Sequence, residues 1–254
     1  MKNLFSFIVL LLASVSISSA QDHYLPVSSK STSALTSYNR ALSLVENAKI
    51  SEYVQAMNSA VVADPNLFAG YAHLALAMVS FKEYDQAKVM VTKALAIAPD
   101  NFTNAEKILR KLMVQWGKDI ASDPMPILDE LIAAFPKNWQ AYDMAASAAT
   151  WIKQDDQSAT PYLQNMVRLR PDNGSAYNSL GYLYIKSGEL DKAKKAFENY
   201  IRVAPTEANA YDSMGEYYMT VKDYPKSAEL YDKAASLGMT DSAERAAKAR
   251  SMIK

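Results

Sequence analysis

Side chains able to do covalent or metal chemistry are scarce in this chain. It has no cysteine, and histidine occurs twice, at His23 and His73. Two distant histidines without a thiolate do not assemble the four-ligand shell of a zinc site, and His73 reads as a partly buried helix residue. Neither a glycine-rich phosphate loop nor a serine in a nucleophile elbow occurs. Carboxylates are plentiful, but Glu189, Asp191 and Glu198 mix with Lys192, Lys194 and Lys195, the pattern of a solvated helix face. Glycoside hydrolysis needs two carboxylates converging across a cleft, and nothing in the sequence draws such a pair together. No catalytic residue, cofactor or metal ligand is assigned. Trp116 and Trp151 remain as possible anchors for a partner, because aromatics dominate contact energetics; the preferred reading is that they fill space in the core.

The elements that must position any binding side chain are clearest in residues 174–207, GSAYNSLGYLYIKSGELDKAKKAFENYIRVAPTE. Large apolar residues recur at steps of three and four on both halves, so each half is an amphipathic helix. Gly181 and Ala193 fall where two antiparallel helices must come close, and larger side chains there would force them apart. Gly188 suits a left-handed helix cap, and Pro205 stops the second helix because its nitrogen cannot donate to the preceding turn. Helix-ending prolines recur at Pro65, Pro99, Pro136, Pro171 and Pro205, at intervals of 34, 37, 35 and 34 residues. Such regularity marks an array of repeats. Asn66, Asn101, Asn138 and Asn173 follow within two residues and are placed to cap the next helix.

Tyr177, Leu180, Gly181, Tyr184, Ala193, Phe197 and Pro205 stand at the spacings of the 34-residue tetratricopeptide repeat, which this stretch resembles. Six such repeats are expected, at about 35–67, 68–101, 102–138, 139–173, 174–207 and 208–241. The first fits loosely, with a turn one residue short. Pro124 and Pro126 in the third repeat, and Pro161 in the fourth, should delay the second helix and enlarge the turn. Those two loops should lie side by side, and the first helix of repeat three should run to about Lys118. Asp241 with Glu244 has the form of a capping box opening a last helix, 242–254, whose Ala246, Ala249 and Ile253 cover repeat six. The expected fold is an all-α, right-handed superhelical solenoid of six hairpins with a carboxyl-terminal capping helix, which a solenoid needs for solubility. Tyr177 and Tyr211 are expected in the core.

Ahead of the solenoid, Lys2 and an apolar run from Leu4 to about Ile17, closed by Ser18-Ser19-Ala20, have the make-up of a cleavable signal peptide. The run is shorter than the roughly 20 residues that span a bilayer, so no membrane span is expected after cleavage. Export is expected, with the periplasm favoured over release from the cell. Without cysteine there is neither a lipid attachment site nor a disulfide. Residues 21–33 are polar and serine-rich and read as a disordered arm. Asn101 and Asn173 begin glycosylation sequons, but both sit where a helix wants a cap. With 27 basic and 27 acidic residues, nothing suggests nucleic acid as a partner.

The resemblance implies a concave groove lined by the first helix of each repeat, at pattern positions 2, 5, 9, 12 and 13. In repeat two these are Ala69, Ala72, Leu76, Val79 and Ser80; in repeat four, Gln140, Asp143, Ser147, Thr150 and Trp151. Repeat five contributes Ser175, Asn178, Tyr182, Ile185 and Lys186, and repeat six Asn209, Asp212, Glu216, Met219 and Thr220. The candidate groove-binding residues are Asn178, Tyr182, Lys186, Asp212, Glu216, Asp143 and Trp151. Family members that hold the acidic tails of chaperones place Lys, Arg and Asn at positions 5 and 9. Here only Asn178 conforms, and Asp212 and Glu216 would repel a carboxylate, so a basic or extended neutral peptide is expected. The resulting expectation is a non-enzymatic exported scaffold for a protein or peptide partner. An enzyme or glycan-binding protein built on the loops of repeats three and four is the alternative.

Overall fold

Each hairpin is held shut where a small residue meets a large one. A Cβ built on Gly181 would overlap the Phe197 ring, and one on Gly215 would lie 2.9 Å from the Tyr231 ring. The computed structural model describes residues 24–253, so the expected signal peptide and residues 21–23 lie outside the described residues. Among the described residues all regular structure is helical. Six antiparallel pairs follow one another: α1 (Thr32–Glu46) with α2 (Ile50–Ala63), α3 (Phe68–Ser80) with α4 (Tyr84–Ala96), and α5 (Asn104–Lys118) with α6 (Met125–Ala134). Then come α7 (Trp139–Ser147) with α8 (Asp156–Leu169), α9 (Gly174–Lys186) with α10 (Leu190–Val203), and α11 (Ala208–Thr220) with α12 (Tyr224–Ser236). The capping helix α13 (Ser242–Ser251) packs on α12. No described helix is long and apolar enough to cross a membrane.

The turn inside a regular hairpin spans three residues, one of them in the left-handed region. Gly188 takes this role at φ +77°, while Ala48, Lys82 and Lys222 take it in repeats one, two and six at 58°, 64° and 62°. Repeat one therefore has a turn of ordinary length; it looked short because α1 begins at Thr32, ahead of the boundary drawn from the sequence. The third repeat follows expectation, with α5 ending at Lys118 and a wide loop before α6. The fourth does not. Its first helix continues from α7 through a π-helical turn, Ala148–Lys153, and Gln154 at φ 54° then reverses the chain. Helix α8 starts at Asp156, capped by Asp155, and Pro161 lies inside it rather than delaying it. The extra residues are absorbed by widening the helix. The two irregular turns do meet, through Lys153 and Asp123 at 2.9 Å.

Several local expectations change on contact with the structure. Asn138 and Asn173 cap α7 and α9, accepting from the backbone of Gln140 and Ala176. Asn66 and Asn101 do not cap: α3 starts after Leu67, and Thr103 with Glu106 forms the capping box of α5. Asp241 makes no side-chain cap bond: it precedes α13, and its backbone is already in the helical region rather than the extended one a cap needs. Ala246 and Ala249 are buried as expected, but Ile253 lies beyond α13 and is exposed. Tyr177 and Tyr211 are half-buried; the fully buried tyrosines are Tyr38 and Tyr200. Trp116 is buried, its Nε1 donating to the Ser122 carbonyl under the repeat-three loop.

The largest departure is at the amino end. The stretch expected as a disordered arm is ordered from Tyr24 onward. Residues 24–30 form an extended strap, Ser31 caps α1, and Leu25 is buried. Polar composition predicted disorder, but the strap's backbone is satisfied by side chains of distant repeats.

Replacing Gly181 with alanine drives a methyl group into Phe197 and is expected to lower unfolding free energy by about 1–3 kcal/mol. Urea denaturation of the variant beside the unaltered protein measures this.

Candidate binding cavity on the inner face

The first helices of repeats two to five form the inner face, and their polar side chains take hold of the strap. Gln140 of α7 accepts from the Leu25 amide at 2.8 Å, and Glu106 of α5 accepts from the Ser28 amide at 3.1 Å and its hydroxyl at 3.0 Å. Thr103 donates its hydroxyl to the Pro26 carbonyl at 2.8 Å. Apart from the Ser28 hydroxyl, these are contacts to main chain, of the kind that hold a peptide whatever its sequence. Helix α1 then runs beside α9. Glu46 near its end accepts from Arg170 at 2.7 Å and from Tyr24 at 3.3 Å, and Lys49 pairs with Glu207 at 2.8 Å. The Arg170 guanidinium lies 5.6 Å over the Trp139 ring. The first hairpin thus spans the curve from repeat four to repeat six. Much of the inner face is covered by the chain itself: Ala69, Ala72 and Val79, expected to line an open groove, are buried.

A cavity of about 360 Å³ stays open between the first hairpin and repeats two, four and five. Leu76 and Ser80 of α3, Asp143, Ser147, Thr150 and Trp151 of the fourth repeat, and Ser175 and Asn178 of α9 line it. All eight are positions assigned to the groove from the sequence. Val45, Ile50, Tyr53 and His73 close the other side, and Met144, Leu163 and Met166 add apolar wall. Trp151 is 61% exposed, carried outward on the π-helical turn.

Electrostatics divide the cavity wall in two. His73 is buried between Tyr53, whose hydroxyl is 3.2 Å from Nδ1, and Gln140, whose amide nitrogen is 2.7 Å from Nε2. The Gln140 amide can only donate, so His73 Nε2 accepts and the proton sits on Nδ1. Burial lowers its pKa to about 4, and the ring is neutral. Asp143 is half-buried, and burial, reinforced by Glu46, raises its pKa to about 7. Burial, with Asp143 contributing, also pushes the Tyr53 phenol up.

The remaining candidate residues lie elsewhere. Tyr182 donates to Glu216 at 3.0 Å and accepts from the Ser213 hydroxyl at 3.2 Å, so its hydroxyl is engaged within the solenoid. Lys186 is exposed and pairs with Asp156 at the start of α8. Asp212 is not groove surface: it is buried, accepts from Ser242 at 2.6 Å and is neutralised by Arg245 of the capping helix. Its expected repulsion of a carboxylate is therefore cancelled. Trp116 and Trp151 do not form one aromatic spot, since only Trp151 reaches solvent. Glu106 and Arg170 were not singled out from the sequence, and Tyr38 was read only as a repeat position, without its contact to Gln140. Their roles depend on contacts more than 75 residues away, as with Glu106 and Ser28 (78 apart), Tyr38 and Gln140 (102) and Arg170 and Glu46 (124). No cluster of metal-binding side chains occurs among the described residues.

Stacked antiparallel hairpins whose first helices build a shared inner face define a helical-repeat solenoid. Residues 153–216 match the family model for the tetratricopeptide repeat, and the described helices have the fold of a tetratricopeptide-type solenoid. The crystal structure of TTC0263, a thermophilic TPR protein of Thermus thermophilus, aligns over 72% of this chain and 98% of its own. Its TM-score is 0.51 at 18% identity. YrrB, described as a TPR protein with an unusual peptide-binding site, aligns over 85% of this chain and 92% of its own at 21% identity and TM-score 0.43. MamA from Desulfovibrio magneticus RS-1 aligns over 82% and 97% at 16% identity and TM-score 0.45. No curated protein matches the chain.

The strap is expected to contribute to stability. Leu25→Ala should lower unfolding free energy by about 2–5 kcal/mol, read by urea denaturation. Asp143 and His73 have opposite linkages. Asp143 holds its proton more tightly folded (about 7 against 3.8), so its contribution falls as pH rises from 4 to 7. His73 holds its proton less tightly folded (about 4 against 6.5), so its contribution rises over that range. Asp143→Asn removes the falling component, and its stability should climb more steeply between pH 4 and 6.5 than that of the unaltered protein. Parallel denaturation curves across that range test the sign.

Proposed function

We propose that this protein is an exported, non-enzymatic scaffold that holds a segment of a protein partner in the cavity left open on its inner face. The observation carrying this reading is that α3, α7 with its π-helical turn, and α9 all direct groove positions into one cavity. A preformed cavity on rigid helices loses little ordering entropy when an occupant docks. The strap supports the same reading, because Gln140, Glu106 and Thr103 already hold one extended segment by its backbone. Export rests on the composition of Met1–Ala20 alone. An enzyme reading would want converging carboxylates, and Asp143 is the sole carboxylate among the residues lining the cavity.

A photo-crosslinking residue at position 151 is expected to capture a discrete partner from cell-envelope extracts. The same residue at position 62, where Val62 is 79% exposed on α2 away from the cavity lining, is expected to capture none. Equal adducts from both positions would count against the cavity as the binding site.

A further inference from the structure

Two residues that line the cavity carry hydrogen-bond acceptors that the chain leaves unanswered. Asp143 forms neither a hydrogen bond nor an ion pair with any described residue, and the Asn178 amide oxygen is buried without a partner. No lysine or arginine is among the lining residues. The Arg170 guanidinium, which faces Glu46, is already committed to Glu46 and Asp172. His73 offers no charge, since both ring nitrogens are used by Tyr53 and Gln140. Around these acceptors the wall is apolar, with Leu76, Met144, Leu163 and Met166 facing the space and Trp151 exposed beside it.

We infer that the cavity takes the basic side chain of a bound peptide, a lysine or arginine whose apolar stem lies along that wall and whose cationic head meets the Asp143 carboxylate. The inference rests on the peptide-binding reading above and names the side chain being read. Long basic side chains combine an apolar stem with a charged donor head, which is the chemistry this cavity lacks. A purely apolar occupant would leave Asp143 desolvated and unpaired, an unfavourable outcome. An acidic occupant would be repelled. The volume of about 360 Å³ falls at the small end of ligand cavities, roughly 300–1,000 Å³, as suits one side chain with its flanking backbone.

The test uses the full chain and the blocked tripeptide alanine–lysine–alanine, beside its norleucine and glutamate counterparts and n-butylammonium. Binding is followed by Trp151 fluorescence, the other tryptophans being buried, and by calorimetry. At pH 8 the lysine peptide should bind at least about tenfold more tightly than the norleucine peptide, a difference of about 1.4 kcal/mol, and the glutamate peptide more weakly than either. Asp143→Asn should erase the preference for lysine while leaving norleucine binding intact. Its circular dichroism shows whether the variant is folded.

A second reading needs no variant. With Asp143 titrating near 7, lysine affinity in the unaltered protein should fall about tenfold between pH 8 and pH 6, and norleucine affinity should not. The other titratable groups facing this carboxylate are Glu46, held by Arg170 and Tyr24, with Tyr53 and neutral His73 beyond. Equal affinity for lysine and norleucine would overturn the inference, as would a preference that survives Asp143→Asn or no binding of the lysine peptide. Butylammonium binding as tightly as the peptide would make this a free-amine site and overturn it too. A partner captured at position 151 without any lysine preference would remove this inference and leave the scaffold reading standing.

Discussion

One buried amide organises the inner face of this solenoid. Gln140 is fully buried, and it is the meeting point of three parts of the chain. Its oxygen accepts from Leu25 of the strap, and its nitrogen donates to Tyr38 of α1 and to His73 of α3. Both N–H donors and one acceptor site of the amide are thereby used, and leaving such groups unpaired in the interior is costly. Strap, first hairpin and second hairpin must therefore arrive together in one register. The same amide fixes the tautomer of His73, whose ring is kept neutral by burial. That neutrality leaves the carboxylate of Asp143 without a cation nearby, and so determines the character of the cavity.

Closure of the curve is held mainly by apolar burial. The Lys49–Glu207 pair that reaches repeat six is substantially exposed, at 39% and 27%, and such pairs contribute about 0–1 kcal/mol. Burying Leu25 alone contributes about 1.5–3 kcal/mol, and Ala34, Tyr38, Ala41 and Leu42 of α1 are buried alongside it. Glu46 with Arg170 is better sheltered, at 11% and 19% side-chain exposure. Desolvation offsets much of the attraction in a sheltered pair, so its value lies in fixing where α1 ends. A repeat array without this closure would present its inner face as an open hollow. Here the chain fills part of that hollow and leaves a bounded cavity.

The repeating framework was legible because its causes are local. Proline spacing, the small residue facing a ring as in Gly181 and Phe197, and Gly188 at the turn act within a single hairpin. The cavity residues Asp143, Trp151 and Asn178 followed from their positions in that framework. What escaped detection depends on long-range contacts. Residues 24–31 look disordered by composition because their serines and lysine hide Leu25, and because the groups that satisfy their backbone stand 77 to 115 residues away. Asp212 looked like exposed acidic surface because Arg245, 33 residues later, neutralises it from the end cap. Pro161 misled for another reason: proline favours a helix start, but the fourth repeat takes up its extra residues in a π-helical turn and leaves the proline further inside.

The account depends most on the chain occupying its own inner face, and amide hydrogen exchange tests that directly. The amides of Leu25 and Ser28 lie outside any helix, yet each donates to a side chain of a distant repeat. They should therefore exchange slowly, at rates approaching those of the helices around them. Exchange at the rate of an unstructured peptide would show the strap to be detached and the hollow open along its length, contradicting the cavity described here.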